Sequence, residues 1–193
     1  IYADANFFFV LGPLARDDPD GISPFFPWLT NLQVVLTFGA SPTDPGRPAH
    51  FWAGIFDENG IATGLQYTTT EQIVEFWVNS PEVGQPIVAT RDGGLMWCGE
   101  VDVPWDDHVA EITVPIFLVA AQGGYGNPDQ YGDITLDVVG STDVSELYIS
   151  LHGPDEVELD FGHVDIFTAE NAPELAWQPM LEWIVDHSPP GRP

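Results

Sequence analysis

The chain contains no lysine. Its 193 residues include four arginines against 30 aspartates and glutamates, which gives a formal net charge of −26 at pH 7. A surface of this charge repels nucleic acids and anionic membranes, so we expect neither as a partner. Adaptation to a salty medium, marine or halophilic, is the simplest explanation, and we expect the protein to be secreted or periplasmic. The alternative is attraction of a cationic partner or of calcium.

Two groups of acidic residues are candidates for a calcium site. One is the run Asp-Asp-Pro-Asp-Gly at positions 17–21, and the other is Asp129 with Asp133. Neither group has the strict ligand spacing of the twelve-residue calcium-binding loop. We therefore predict no metal site and no cofactor, and a calcium-dependent acidic module stays as an alternative.

Cysteine and long apolar runs are also scarce. Cys98 is the only cysteine, so no internal disulfide is possible and cysteine usage does not indicate the compartment. No apolar run approaches the roughly 18 residues that a membrane span needs, and we expect none. A hydrophobic content of 44% is sufficient for an ordinary core. The length fits one domain, or a half-domain with an insertion.

The most informative stretch surrounds His163. Residues 157–161 alternate between polar and apolar side chains, which predicts a short strand. Gly162 follows and allows close approach of the backbone, and His163 comes directly after it. An imidazole titrates near neutral pH, so it can take and return a proton. The simpler interpretation is a histidine that only makes a hydrogen bond within its loop.

The flanking segments give this histidine a context. Residues 112–121 form a nearly continuous apolar run, which is typical of a strand buried on both faces of a parallel sheet. This run ends in the glycine-rich stretch 123–126. After His163, a helix is expected from about Ala172. Pro173 suits its first turn, and Pro179 should kink or restart it.

This order of segments resembles the C-terminal part of an α/β-hydrolase, over residues 110–185. The resembling features are the apolar strand, the glycine-rich loop, a short strand, the stretch F-G-H-V-D-I-F and the helix. The resemblance implies an α/β fold in which residues 109–193 supply the last core strands and helices. Residues 1–108 would form a cap or lid with a β-hairpin and short helices. His163 would be the general base of a catalytic triad.

The resemblance also implies an acid shortly after the penultimate strand. Positions 122–125 are not acidic, so the candidates are Asp129 and Asp133, and the alternative is an acid on another chain. Asp165, two residues after His163, is predicted to hold the loop instead. His108 precedes the apolar strand, so we expect it at the opposite end of the sheet from the site, at the surface.

The family's nucleophile elbow, G-x-S-x-G, is missing. None of the seven serines has glycine two residues away on both sides. The sequence begins at Ile1 without a methionine, as would a chain released by proteolysis or one piece of a protein. We therefore predict the C-terminal subunit of a processed serine-type α/β-hydrolase. Its partner would be an N-terminal half chain that carries the nucleophile and the earlier strands.

The expected substrate is a small-molecule or peptide ester or amide. Five aromatic residues of the cap are candidates to line an apolar pocket for it: Phe25, Phe26, Trp28, Phe51 and Trp52. The alternative is that these side chains pack the cap's own core. The rival function is a non-catalytic, acidic structural or assembly subunit that keeps a hydrolase-like scaffold, since a fold alone does not establish activity.

Local signals predict two elements of the first hundred residues. Asn59-Gly60 lies between two apolar stretches in residues 51–67 and predicts a β-hairpin. Thr69-x-x-Gln72 is a possible capping box for a helix that runs to about Asn79. For residues 31–40, periodicity leaves both a strand and a short helix open.

Overall fold

The structure is a computed structural model, and it describes residues 3–5, 7–42, 49–80, 83–86, 108–125 and 134–188. Within these ranges the chain belongs to the α/β class, because helices combine with three two-stranded sheets. No helix in the described ranges is long and apolar enough to cross a membrane.

The regular elements follow one another along the chain. The strands are β1 Ala3–Ala5, β2 Gly54–Phe56, β3 Ala62–Leu65, β4 Val83–Pro86, β5 Ile116–Ala121 and β6 Val144–Ile149. The α-helices are α1 Phe7–Asp17, α2 Asn31–Ala40, α3 Thr70–Val78, α4 Ile134–Val138, α5 Asp165–Thr168 and α6 Gln178–Asp186. Two 3-10 segments, Val109–Glu111 and Pro154–Leu159, and one π-helical turn, Pro173–Trp177, complete the set.

Helices α2 and α3 both begin with a capping box. Thr30 accepts from the backbone N–H of Gln33, and the Gln33 side chain accepts from the backbone of Thr30. Thr69 and Gln72 repeat the arrangement for α3, as the sequence predicted. Each such cap stabilises its helix by about 1 kcal/mol. Residues 31–40 are therefore helical, and the cap at Thr30 is the signal that decides between the two possibilities.

The first hydrophobic core lies between helices α1, α2 and α3. Its members include Leu11, Val34, Ile73 and Trp77, all nearly inaccessible to solvent. A Cβ atom at Gly12 would come within 2.5 Å of the backbone nitrogen of Val78. Only glycine therefore allows α1 to approach α3 this closely.

Strands β2 and β3 form the predicted antiparallel hairpin. Gly60 lies in its turn with a φ of 75°, and it is the one residue with a positive φ among the described residues. The Asp57 carboxylate accepts from the backbone N–H groups of Asn59 and Ile61, at 2.8 and 2.9 Å. These bonds satisfy backbone groups that the hairpin itself leaves unpaired.

Strands β5 and β6 are parallel and pair without a register shift, from Ile116 opposite Val144 to Ala121 opposite Ile149. A crossover connection that includes α4 joins them, as parallel pairing requires. Residues 116–119 are only half-buried, whereas the sequence predicted burial on both faces. The faces of β5 are covered only in part by what packs on them, such as Trp183 of α6 on Phe117, and β6 is the one described strand that pairs with its edges.

The predicted strand at residues 157–161 is wrong. The chain forms a 3-10 segment at Pro154–Leu159, and the strand that pairs with β5 is β6. Val157 and Phe161 are buried while Leu159 is largely exposed. The letters alternate as a strand would, but Val157 and Leu159 lie in the 3-10 segment and Phe161 lies beyond it, after the extended residue Asp160. Pro154 at the first position of the segment favours the same outcome.

The C-terminal helix restarts at Pro179, as predicted. A π-helical turn that contains Pro173 precedes α6, and Pro179 is the second residue of α6. Trp177, Leu181 and Ile184 share one face of this segment and are about half exposed. The opposite face carries Trp183, whose ring stacks on Phe117 of β5 with centroids 5.4 Å apart.

The loop at residues 160–166 joins two hydrophobic cores. Val164 belongs to the first core. Phe161 and Ile166 belong to a second one, which lies around the ends of β5 and β6. His163 therefore lies where the two cores meet. The predicted boundary at residue 108 borders the undescribed residues 87–107 and stays a prediction.

Candidate functional site

His163 lies at the carboxyl ends of β5 and β6. Two backbone hydrogen bonds connect the loop after β5 to the end of β6 and to the His163 loop. Gln122 N–H donates to the carbonyl of Ile149, and Gly123 N–H donates to that of Phe161, each at 2.9 Å. A Cβ atom at Gly124 would lie 2.7 Å from the backbone nitrogen of His163. Glycine at this position therefore allows the two loops to touch. Ligands of parallel sheets bind at this edge.

The imidazole of His163 is exposed to solvent. Its Nδ1 lies 3.3 Å from the carbonyl oxygen of Tyr125. A carbonyl only accepts, so this contact is a hydrogen bond in the tautomer with the proton on Nδ1, and in that tautomer Nε2 of the neutral ring is unprotonated. The rings of Phe51 and Tyr125 stand edge-on to the imidazole, with centroids 6.3 and 5.4 Å away.

Asp165 holds the loop around His163, as the sequence predicted. One carboxylate oxygen accepts from the backbone N–H groups of Gly162 and Ala53, at 2.8 and 2.9 Å. The other accepts from the hydroxyl of Thr68 at 2.7 Å. The side chain is fully buried, and burial raises the pKa of Asp165 against the opposing effect of these bonds. Its role is to join the hairpin region to the His163 loop.

A second buried carboxylate, Asp160, holds the chain that leaves β6. It accepts from the backbone N–H groups of Leu151, His152 and Phe161, at 2.9, 3.1 and 2.7 Å. The hydroxyl of Ser150 adds a longer bond of 3.3 Å. The sequence analysis did not identify Asp160, because no local pattern marks a carboxylate that caps a segment ten residues away.

His50 is a buried residue of the site that the sequence analysis also missed. Its ring lies 2.8 Å from the carbonyl oxygen of Asp160, and its backbone carbonyl accepts from the N–H of His163 at 3.0 Å. The next residue, Phe51, accepts from the N–H of Val164 at 2.7 Å. The segment 49–53 therefore positions the backbone on which His163 stands.

The two predicted triad acids, Asp129 and Asp133, lie outside the described residues. His108 lies at the surface before β5, as expected, and its Nδ1 is 2.9 Å from Glu111 Oε1. None of the seven serines makes a hydrogen bond to His163 within the described structure; for example, the Ser80 hydroxyl donates to the carbonyl of Phe76.

The five aromatic candidates divide into two groups. Phe51 contacts the His163 ring, but Trp52 is 3% exposed and its Nε1 donates to Thr168 Oγ1 at 3.0 Å. Trp52 therefore packs in the first core, which is the alternative that the sequence left open.

The other three aromatic candidates lie in the segment that leads to α2. Phe26 packs on the first core, and its ring contacts Trp28 with centroids 5.8 Å apart. Trp28 is 71% exposed and Phe25 46%. No described ring contact joins these three residues to His163.

A cleft of about 570 Å³ lies between α3 and α5. Phe76, Phe167 and Glu75 are among the side chains that line it, and His163 is not. The ring of Phe76 also contacts that of Trp52, with centroids 5.2 Å apart. The described residues contain no group of three His, Cys, Asp or Glu side chains that would hold a metal ion.

Comparison of this chain with protein-family models, with curated proteins and with solved structures gave no match. The candidate site therefore depends on the geometry given above.

Proposed function

We propose that this chain is the C-terminal part of a serine-type α/β-hydrolase that cleaves an ester or amide, with His163 as its general base. One observation carries the proposal. His163 presents an exposed imidazole at the carboxyl edge of a parallel strand pair, and the carbonyl of Tyr125 accepts a hydrogen bond from Nδ1–H. Nε2 is then the atom that faces an incoming hydroxyl group.

In the proposed reaction, Nε2 of His163 takes the proton of a serine hydroxyl as the serine oxygen attacks the carbonyl carbon of the substrate. The same proton then passes to the leaving alcohol or amine, and water later repeats the sequence to release the acid. The bond from Nδ1 to Tyr125 fixes the ring tautomer. A carboxylate would stabilise the imidazolium more strongly than a carbonyl does, and Asp129 and Asp133 remain the candidates for that role.

The proposed nucleophile belongs to another polypeptide, which also supplies the earlier strands of the sheet. Two features support this. Strand β5 is apolar, half-buried and paired by β6 on one edge alone among the described strands. Trp177, Leu181 and Ile184 form an exposed apolar stripe on the C-terminal helical segment, on the face opposite to Trp183, which stacks on Phe117 of β5. Both surfaces have the character of an interface core.

The substrate of the proposed hydrolase is a small-molecule or peptide ester or amide with an apolar group near the scissile bond. Phe51 and Tyr125 support this, because their rings flank the imidazole and offer apolar surface there. The two rings also contact each other, with centroids 5.2 Å apart.

A fluorophosphonate probe on the native complex tests the proposal. We expect it to label a serine of a polypeptide that purifies with this chain, and we expect His163→Ala to abolish the labelling. His108→Ala is the matched control, because His108 is exposed and lies before β5, at the other end of the sheet. It should leave the labelling unchanged.

The rival function, a non-catalytic acidic assembly subunit, predicts another outcome. An intact complex in which no chain reacts with the probe would favour this rival. The absence of a serine beside His163 among the described residues is the observation that keeps it open. Equal labelling in wild type and His163→Ala would also remove His163 from the mechanism.

A further inference from the structure

His50 connects the two halves of the candidate site through both its ring and its backbone. Its N–H donates to the carbonyl of Gly123 at 2.9 Å, and its carbonyl accepts from the N–H of His163 at 3.0 Å. Its ring nitrogen Nε2 lies 2.8 Å from the carbonyl of Asp160. One residue therefore contacts the loop after β5 and the loop that carries His163.

The ring of His50 has no room to move while these contacts hold. It is 1% exposed, and a Cβ atom at Gly123 would lie 2.5 Å from its Cε1 and 2.7 Å from its Nε2. Since the carbonyl of Asp160 can only accept, Nε2 carries the proton and the neutral ring is the Nε2–H tautomer. A second proton, on Nδ1, would place a charge in this buried space.

We propose that His50 is a pH-sensitive positioning residue, which holds the His163 loop while its ring is neutral and releases it when the ring gains a proton. The general-base role of His163 rests on the proposed function, but the release of the loop does not. The activity of the site would accordingly fall in acid before the rest of the chain unfolds.

The environment of His50 shifts the pKa of its ring in opposing directions. Burial lowers the pKa of His50 below its ordinary 6.5, although the bond to Asp160 and the charges of Asp165, Asp160 and Glu158 oppose this. The unfolded ring therefore binds a proton before the folded one does. The stability that the neutral ring contributes is complete above pH 6.5 and is lost as the pH falls through the folded pKa.

Two other groups near His50, Asp165 and Tyr67, do not produce the same loss. The pKa of Asp165 is raised by its burial, so its protonation in acid favours the folded form. Tyr67, which donates to the carbonyl of Leu159, has a pKa of about 12 and does not change in this range. The reporter loop carries a second imidazole, that of His163, so a variant of His163 is needed as a control.

Amide hydrogen exchange, followed by NMR on the full 193-residue chain with any polypeptide that purifies with it, tests the proposal. The reporters are the N–H groups of His163 and Val164, which donate to His50 and Phe51. A shift of one pKa unit changes an equilibrium about tenfold, so we expect their protection to fall severalfold between pH 7.5 and 5.0. The N–H of Ile73, which donates to Thr69 in α3, should keep its protection.

Two variants assign the effect to His50. His50→Gln places an uncharged N–H donor near the position of Nε2, so its loop should form and its protection should not depend on pH. His163→Gln removes the imidazole of the reporter loop itself, and the acid-dependent loss at Val164 should persist. Unchanged protection in wild type, or an equal loss in His50→Gln, would overturn the proposal. The wild-type series decides even where His50→Gln does not fold.

The hydrogen-exchange experiment and the fluorophosphonate experiment can fail independently of each other. If a serine is labelled but the N–H groups of His163 and Val164 lose their protection in acid equally in wild type and His50→Gln, the hydrolase proposal stands and the role of His50 falls. If nothing is labelled but the loop still opens in acid through His50, the positioning role stands without the hydrolase.

Discussion

A buried carboxylate helps to hold the loop that carries His163. Asp165 accepts three hydrogen bonds, two from backbone N–H groups and one from Thr68. A buried donor that loses its acceptor costs about 1–3 kcal/mol. Asp165 therefore stabilises the contact between the hairpin region and the His163 loop, together with the backbone bonds from His163 and Val164 to His50 and Phe51.

Replacing Asp165 should destabilise the fold in proportion to the acceptors that are lost. We expect Asp165→Ala to lower the free energy of unfolding by about 2 kcal/mol or more, since the backbone N–H groups of Gly162 and Ala53 lose their acceptor, whereas the Thr68 hydroxyl keeps Thr168 Oγ1 as a partner. Asp165→Asn should cost less, because its amide oxygen accepts from both backbone groups and its NH₂ can donate to Thr68. Urea unfolding measures both. Asp155→Ala, at an exposed carboxylate, is the control, and an equal loss there would contradict the assignment.

At the residue scale, the sequence predicted those site residues that a local sequence pattern identifies. His163 and Asp165 stand beside Gly162 in a recognisable stretch, and the structure finds the first exposed and the second holding the loop. His50 bonds to a residue 110 positions away, so no local pattern marks it. Asp160 itself lies in the stretch that the sequence analysis interpreted as a strand, and it binds the backbone of Leu151 and His152, nine and eight residues away.

At the scale of single elements, the turn of the β2–β3 hairpin gives a clean test of backbone strain. Gly60 has a φ of 75°, and a Cβ atom there would meet nothing within 4 Å. Gly60→Ala should therefore destabilise through conformation alone, by about 1–2 kcal/mol. Gly153 is equally open but has a φ of −76°. Gly153→Ala should stabilise by up to about 1 kcal/mol, since it reduces the freedom of the unfolded chain.

Thermal unfolding of the two glycine variants, followed by circular dichroism, checks this pair. We expect Gly60→Ala to lower the stability and Gly153→Ala to raise it. If both alanines change stability by the same amount, side-chain contacts or the unfolded state determine the result, and the positive φ of Gly60 does not.

The elements that could be predicted are those with a capping or turn sequence. Thr69 with Gln72 and Asn59 with Gly60 each specify a local backbone geometry, and both elements formed. Residues 157–161 offered only alternation over five positions. There the chain forms a 3-10 segment that ends at Leu159, with Val157 as its buried residue, and Pro154 at its first position favours a helical start over a strand.

For the whole molecule, the dominant quantity is the net charge of −26. Like charges on a compact surface repel, and salt screens them: the Debye length falls from about 30 Å at 0.01 M to about 3 Å at 1 M. We expect the urea midpoint to rise with salt over this range, equally in sodium chloride and in tetramethylammonium chloride. A rise in only one salt would indicate a bound cation, and no rise would show that the folded chain tolerates its charge.

The assembly of the proposed hydrolase is testable at the two edges of the β5–β6 sheet. Ile116 N–H donates to Asp143 and Gln122 N–H to Ile149, so the alternation of a parallel ladder directs the N–H of Val119 away from β6. Proline at that position should preserve the internal ladder and prevent a further strand from pairing. We expect Val119→Pro to lose the polypeptide that purifies with wild type, whereas Glu146→Pro, its counterpart on the outer edge of β6, should retain it. Analytical ultracentrifugation of both variants, with circular dichroism to verify their fold, measures the difference. If a folded Val119→Pro keeps the polypeptide, the partner does not extend this sheet from β5.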